Sequence, residues 1–255
     1  MKNEEKKIRI DQMIVEKNLA ASREKARCLI MSGAVKVNGE RVLKPGKMIS
    51  SRSKVTLKEA PRFVSRGGDK IDGFFHDHCL EIKDKVCLDI GSSTGGFTDC
   101  LLKRGAKKVY AVDVGKGLID WKLRNDPRVV LLEEINARYL SQTIIQEVCD
   151  IGVIDVSFIS VEKIIPSVYN LISSGGFLLV LVKPQFEAGR ESVGKGGIVK
   201  DARVHQKVIE RVKAFSEKQG FTALVHYPSR IRGSKGNQEY FLLLQKHDSG
   251  EPGNR

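Results

Sequence analysis

The chain holds no CxxC pair and no cysteine–histidine cluster at zinc-finger spacing. Its cysteines, Cys28, Cys79, Cys87, Cys100 and Cys149, are an odd number scattered along the length, which argues against a disulfide framework and a structural zinc. His76 and His78 flank Asp77, but no third ligand follows at suitable spacing, so no metal is expected. No apolar run approaches the roughly 18–20 residues that a membrane helix needs. The longest, Phe177 to Val182, has the length of a buried strand. Met1-Lys2-Asn3-Glu4-Glu5-Lys6-Lys7 is charged with no apolar segment behind it, unlike a signal peptide. These absences predict a soluble, cytoplasmic protein with no membrane association.

What is present is a surplus of positive charge. The 255 residues carry a net +13, with 41% hydrophobic residues and a mean hydropathy of −0.24. Residues 1–60 hold 15 Lys and Arg against 7 Asp and Glu, a net of +8 that leaves +5 for the much longer remainder. Such concentration points to a polyanion-binding module at the front.

Within that module Ile10, Met13, Ile14 and Leu19 recur at roughly helical spacing. Ser22 can cap a second helix, Arg23 to Met31, which Ser32-Gly33 would stop. Val35-Lys36-Val37 alternates, Asn38-Gly39 signals a type I′ hairpin turn, and Lys54 to Leu57 closes a small sheet. Ala60-Pro61 breaks the pattern. Beyond Lys85 strands are expected at Val86–Ile90, Val109–Val114, Val129–Leu132, Ile151–Val156, Phe177–Val182, Thr222–Tyr227 and Tyr240–Gln245. Helix-like segments separate the first five, as in a mainly parallel sheet with helices on both faces; a loop joins the last two, as in an antiparallel hairpin.

The first of these strands runs into Asp89-Ile90-Gly91-Ser92-Ser93-Thr94-Gly95-Gly96-Phe97-Thr98-Asp99. Glycines at that place let the backbone turn and approach a ligand, and Asp113, about twenty residues on, can accept hydrogen bonds from ribose hydroxyls. The pattern implies an adenosine-containing cofactor. Gly189 to Lys195 imitates a phosphate-binding loop, but Gly196 stands where Ser or Thr should bind magnesium, and no helix pattern comes after it. It is expected to be a flexible glycine-rich loop, which could serve as a lid over the site. Lys70, Asp155, Lys183 and Glu239 are charges with no evident structural need, the middle two at carboxyl ends of strands, where open α/β sheets bind ligands. Arg230-Ile231-Arg232-Gly233-Ser234-Lys235 is a basic loop that could guide an RNA backbone.

Arg9-Ile10-Asp11, Ser22 to Ala26, Gly33-Ala34-Val35, Val37-Asn38-Gly39 and Lys44-Pro45-Gly46 together resemble the S4 RNA-binding domain. That resemblance implies RNA contacts from Arg23, Lys25 and Arg27 on one helix, with Arg9 and Lys36 nearby. Lys70, Asp155, Lys183 and Glu239 resemble the Lys-Asp-Lys-Glu tetrad of the FtsJ-like ribose 2′-O-methyltransferases. With Ser65-Arg66-Gly67-Gly68, Lys183 to Glu187 and Gly196-Gly197-Ile198-Val199, the whole chain resembles the TlyA family, often labelled hemolysin A. One departure is Asp72-Gly73-Phe74, where a more regular apolar helix face would follow Lys70.

The resemblance implies a Rossmann-like α/β sheet, mostly parallel with an antiparallel last strand, behind a small α+β S4 domain. The domains would be 1–60 (S4-like), 61–66 (linker), 67–248 (methyltransferase) and 249–255 (flexible tail). The implied cofactor is S-adenosylmethionine, held by Asp89, Gly91, Ser92, Ser93, Thr94, Gly95, Gly96, Phe97, Asp113, Asn136 and Asp155. The implied substrate is ribosomal RNA within ribosomal subunits, at a cytidine ribose, with Arg66, Arg230, Arg232 and Lys235 as further RNA contacts. Lys183 would be the base, oriented by Asp155, and Glu239 would position Lys70 or the ribose. The competing expectations are a membrane-active hemolysin, which would need an insertion segment, and a non-catalytic ribosome-binding factor. Oligomeric state is left open.

Overall fold

The computed structural model describes residues 7–58 and 61–247, so the tail expected at 249–255 lies outside the described residues. The chain forms two compact units that divide between Pro61 and Arg62.

In the first unit β1 (Lys7–Arg9) leads into α1 (Ile10–Glu16) and α2 (Arg23–Met31). The strands β2 (Val35–Val37), β3 (Glu40–Arg41), β4 (Met48–Ser50) and β5 (Val55–Leu57) come next. Ser22 caps α2 as expected, its Oγ accepting from the Lys25 amide at 3.2 Å. Asn38 and Gly39 take φ of 51° and 89°, the left-handed pair that a type I′ turn requires. β2 is the centre of a three-stranded sheet, and Ile10, Ile14, Ala26, Ile30 and Val35 form a core with no exposure. The antiparallel pair β1–β4 was not expected, because two three-residue segments with exposed ends carry almost no period-two signal.

The second unit opens with α3 (Arg66–Asp77) and continues as β6 (Val86–Ile90), α4 (Gly96–Lys103), β7 (Lys108–Val112), α5 (Trp121–Arg124), β8 (Val129–Leu132) and β9 (Cys149–Ile154). Then come α6 (Ile165–Tyr169), β10 (Ile172–Val182), α7 (Pro184–Glu187), α8 (Ala202–Lys218), β11 (Phe221–Pro228) and β12 (Tyr240–Lys246). The sheet order is β11-β12-β10-β9-β6-β7-β8. β8, β7, β6, β9 and β10 run parallel, and β12 inserts antiparallel between β10 and β11. The chain winds outward from β6 to β8 and then crosses back to β9. The crevice of such a sheet therefore opens beyond the carboxyl ends of β6 and β9. Ile71, Phe74 and Leu101 of α3 and α4 cover one face, and Ile165, Val168, Val208 and Val212 of α6 and α8 the other.

One expectation needs correction. Residues 62–66 are not a free linker: Phe63, 3% exposed, packs in the core beside Ile71 and Phe97, and the Val64 amide donates to Asp99 at 2.9 Å. Composition around Pro61 marks where the chain changes direction, but one buried aromatic assigns residues 62–66 to the second unit. The departure noted at Asp72-Gly73-Phe74 lies inside the continuous helix α3. Asp72 is ion-paired to Arg62 and, at 2.7 Å, to Arg104, and Gly73 leaves room for the Arg230 side chain. A paired carboxylate is tolerated where a lone one would be costly.

Candidate active site

Gly91 leaves β6 with φ +83°, and a Cβ on it would lie 2.4 Å from the Asp155 carbonyl oxygen. The absent side chain is thus what lets the turn after β6 lie against the end of β9. Gly95, at φ +92°, caps α4; it lines neither of the two cavities described below, and its missing Cβ makes room for Leu123 at 2.2 Å. Asp113, just past β7, accepts from the Ser93 amide at 2.8 Å and the Gly115 amide at 2.7 Å. Its carboxylate is fixed by backbone, with lone pairs left for a ligand.

Around Asp113 lies a cavity of about 520 Å³ lined by Gly91, Ser93, Val114, Leu118, Asn136 and Asp155, among others. Val114 and Leu118 are 72% and 47% exposed, unusual for apolar side chains facing a concave surface, and an aromatic base between them would cover both. Asn136 Oδ1 accepts from the Arg138 amide at 3.2 Å, which fixes its side chain at the rim. A narrower cavity of about 160 Å³ shares Gly91, Ser93 and Asp155 with the first and adds Ser92, Thr94, Gly96, Phe97, Arg66, Lys70 and Arg232. The Ser92 hydroxyl is buried there without a partner.

Asp89, expected to touch the cofactor, lines neither cavity. It is fully buried below the turn, where Thr98 Oγ1 donates to it at 2.6 Å, and burial pushes its pKa up to about 7. Burial raises the folded-state value above an unfolded value near 3.8, so the folded state holds the proton longer. Folding stability should therefore be highest below about pH 4 with respect to this group and fall as pH rises to about 7. Denaturant titrations across that range should show the decline in the wild type and lose it in Asp89→Asn.

The four charged candidates form two ion pairs. Lys183, immediately after β10, places Nζ 2.6 Å from Asp155 Oδ1 after β9, and donates to Ser157 Oγ at 2.9 Å. The Asp155 contact is ionic and poorly aligned as a hydrogen bond, while Ser157 accepts the aligned one, so the two together hold the amine. Lys70 of α3 lies 2.5 Å from Glu239 Oε2, and Gln185 Nε2 donates to Glu239 Oε1 at 3.2 Å. Lys183 and Glu239 are nearly buried. Of the four, Lys70 and Asp155 face the narrow cavity.

Ser157, Gln185 and Glu187 escaped the sequence reading. Glu187 ends α7 with its carboxylate buried, accepting from the Val161 amide at 2.8 Å, Ser160 Oγ at 2.7 Å and Arg211 at 3.1 Å. It fastens the loop bearing Asp155 and Ser157 to the turn bearing Lys183. The one available signal was its place in Lys183-Pro184-Gln185-Phe186-Glu187; the partners come from elements 26 and 24 residues away.

The expected RNA contacts divide. Arg9 and Arg23 both bind the buried Asp11, Arg9 through Nε at 3.0 Å and Arg23 at 3.1 Å. The hydrogen bond from Arg9 chiefly holds the Asp11 pKa down to about 2. Lys25, Arg27 and Lys36 are exposed and not ion-paired among the described residues. Arg66 and Arg232 line the narrow cavity and Lys235 is exposed, but Arg230 is tied to Asp77. Its guanidinium thus holds a loop to α3, a contact between side chains more than 150 residues apart that spacing could not reveal. His78 packs its ring on Phe74 and Tyr227.

Residues 63–246 match the family described as FtsJ-like methyltransferase, and residues 8–55 match the S4 domain. The Bacillus subtilis protein YqxC, provisionally named an rRNA methyltransferase, is 46% identical over 97% of this chain and 89% of its own. The 16S/23S rRNA (cytidine-2′-O)-methyltransferase TlyA of Mycobacterium tuberculosis is 39% identical over 94% of this chain and 90% of its own. A solved structure from Streptococcus thermophilus, provisionally named a hemolysin, superposes with a TM-score of 0.73 at 43% identity, covering 96% of this chain and 90% of that one. No helix among the described residues is long and apolar enough to cross a membrane.

Proposed function

We propose that this chain, which belongs to the FtsJ-like methyltransferase family and carries an S4 domain, methylates a ribose 2′-hydroxyl of ribosomal RNA using S-adenosylmethionine. The observation that carries the reading is Asp155, which lines both a nucleoside-sized cavity and a narrower cationic one and is paired with Lys183. The residues present fit the cofactor: the Asp113 lone pairs suit ribose hydroxyls, Val114 and Leu118 suit the two faces of adenine, and the unpartnered Ser92 hydroxyl suits the polar amino-acid end. When bound, S-adenosylmethionine supplies an electrophilic methyl on a sulfonium.

The protein's part is alignment and proton transfer. Lys183 Nζ, once its own proton has passed to solvent, would take the 2′-hydroxyl proton as the neutral amine while the methyl moves from sulfur to that oxygen, with Ser157 and Asp155 holding the amine in place. Lys70, set by Glu239 and Gln185, faces the developing charge on that oxygen. Alignment of the two reactants alone can supply several kcal/mol of the barrier. Arg66 and Arg232 at the narrow cavity, with Lys25, Arg27 and Lys36 of the S4 domain, unpaired among the described residues, meet RNA phosphates, whereas Arg9 and Arg23 are engaged by Asp11. The target is proposed as a cytidine of 16S or 23S rRNA, a reading supported by the name of the M. tuberculosis relative, and with it ribosomal subunits as partners and the cytoplasm as location are proposed.

The test is to incubate purified small and large subunits with labelled S-adenosylmethionine and map the product. Label on a ribose is the expected result; no RNA label would favour a ribosome-binding role without chemistry. Asp113→Ala should weaken cofactor binding about 10–100-fold, since hydrogen bonds to a charged group are worth roughly 1.5–3 kcal/mol. Calorimetric titration with S-adenosylmethionine reads this directly, and an unchanged Kd would remove Asp113 from the site.

A further inference from the structure

The glycine-rich segment 189–199, whose sequence imitates a phosphate-binding loop, takes no part in the chemistry above. Its fold is not that of a nucleotide loop. Residues 190–192 make one short turn, and the Gly194 amide donates to the Ile198 carbonyl at 2.9 Å to close a hairpin. Gly196 and Gly197, at φ +81° and +78°, form the tip, and the next helix, α8, starts only at Ala202, too far on to aim its first amides at a phosphate held by this segment.

The hairpin is held from the opposite loop by one buried side chain. Asn237, 3% exposed, accepts from the Val199 amide at 3.0 Å and donates to the Gly197 carbonyl at 2.8 Å. His205 adds a second pin, with one ring nitrogen 2.9 Å from the Val199 carbonyl and the other 2.9 Å from the Tyr240 hydroxyl. A Cβ on Gly197 would sit 3.9 Å from Lys235 Nζ, so the hairpin and the basic loop 230–236 make one surface. On it Lys195, Lys200, Arg232 and Lys235 are exposed, and none is ion-paired among the described residues, whereas Arg230 beside them is tied to Asp77. Arg232 also lines the cavity that holds Lys70 and Asp155. Cations fixed together without counter-ions repel one another, and a polyanion relieves that repulsion.

We propose that the hairpin 194–200 and the loop 231–237 form an RNA-backbone contact surface separate from the S4 domain. Lys195 and Lys235 are its phosphate contacts, and Asn237 is the residue that positions Lys195. This rests on the RNA substrate proposed above and adds where the strand runs beside the reacting ribose.

The test is binding of the full chain to a fluorescein-labelled 20-nucleotide oligocytidine at several salt concentrations. Each single-strand phosphate contact contributes about 0.7 to the slope of log K against log salt, so Lys195→Ala with Lys235→Ala should reduce it by about 1.4. S-adenosylmethionine affinity should stay at the wild-type value. Saturating oligocytidine should also protect the Lys195–Gly196 bond from trypsin, and Asn237→Ala should speed that cleavage and weaken the protection. An unchanged slope, no oligocytidine binding, or cleavage after Lys195 indifferent to RNA would each overturn the proposal. Because neither measurement needs turnover, its failure is distinct from a failure to label ribosomal RNA.

Discussion

Lys183→Ala is expected to lower kcat for methyl transfer by about 10²–10⁴-fold, the range that a positioned general base contributes. S-adenosylmethionine should bind nearly as before, because Lys183 lines neither cavity. Lys183→Arg sharpens the test. A guanidinium can keep the charge facing Asp155 but cannot give up its proton at any usable pH, so it should be as inactive as alanine. Single-turnover assays at saturating cofactor would measure both. If Lys183→Arg retained most of the activity, charge rather than proton transfer would be what the site needs there. Asp155→Ala should approach the same loss, since it leaves Ser157 alone to aim the amine. Wild-type turnover in either alanine variant would end the assignment.

Gly91→Ala should be the most damaging methyl group that can be added near the site. A left-handed backbone costs a non-glycine residue roughly 1–2 kcal/mol. The added carbon would also lie 2.4 Å from the Asp155 carbonyl oxygen, which belongs to backbone and cannot swing away. Overpacking of that kind costs about 1–3 kcal/mol, so the combined loss is about 2–5 kcal/mol. Against a total stability of roughly 5–15 kcal/mol this is large. Gly196→Ala is the control: φ is +81° there, yet nothing stands within 4 Å, so only the backbone cost applies. Denaturant unfolding of both variants separates strain from overlap. In Gly91→Ala the overlap displaces Asp155 itself, so methyl transfer should fall even in the molecules that remain folded. Equal losses in the two variants would show that the close approach at Gly91 carries no weight.

The sequence by itself determined the elements whose signal is local. Every strand of the large sheet was expected, most within two residues, from apolar or alternating runs bounded by turn residues; β10 alone starts five residues early, at Ile172, through Ser-Ser-Gly-Gly, which carries no strand signal. The Ser22 cap, the Asn38-Gly39 turn and the glycine turn after β6 arise from chemistry confined to a few neighbouring residues. The four charged candidates were legible as charges out of place, and their resemblance to a known tetrad did the rest.

What only the tertiary structure decided is pairing. Lys70 meets Glu239 across 169 residues, and Lys183 finds Asp155 and Ser157 because β9 and β10 are neighbours in the sheet. Asp89 and Asp113 are both acidic residues at strand ends, yet one is sealed beneath the glycine turn and the other faces a cavity. Arg230 and Arg232 are two residues apart and equally basic; the first is held by Asp77 and the second lines the narrow cavity. Side-chain period and residue type say what a group can do. Which partner it meets is set by through-space contacts that have no fixed interval along the chain.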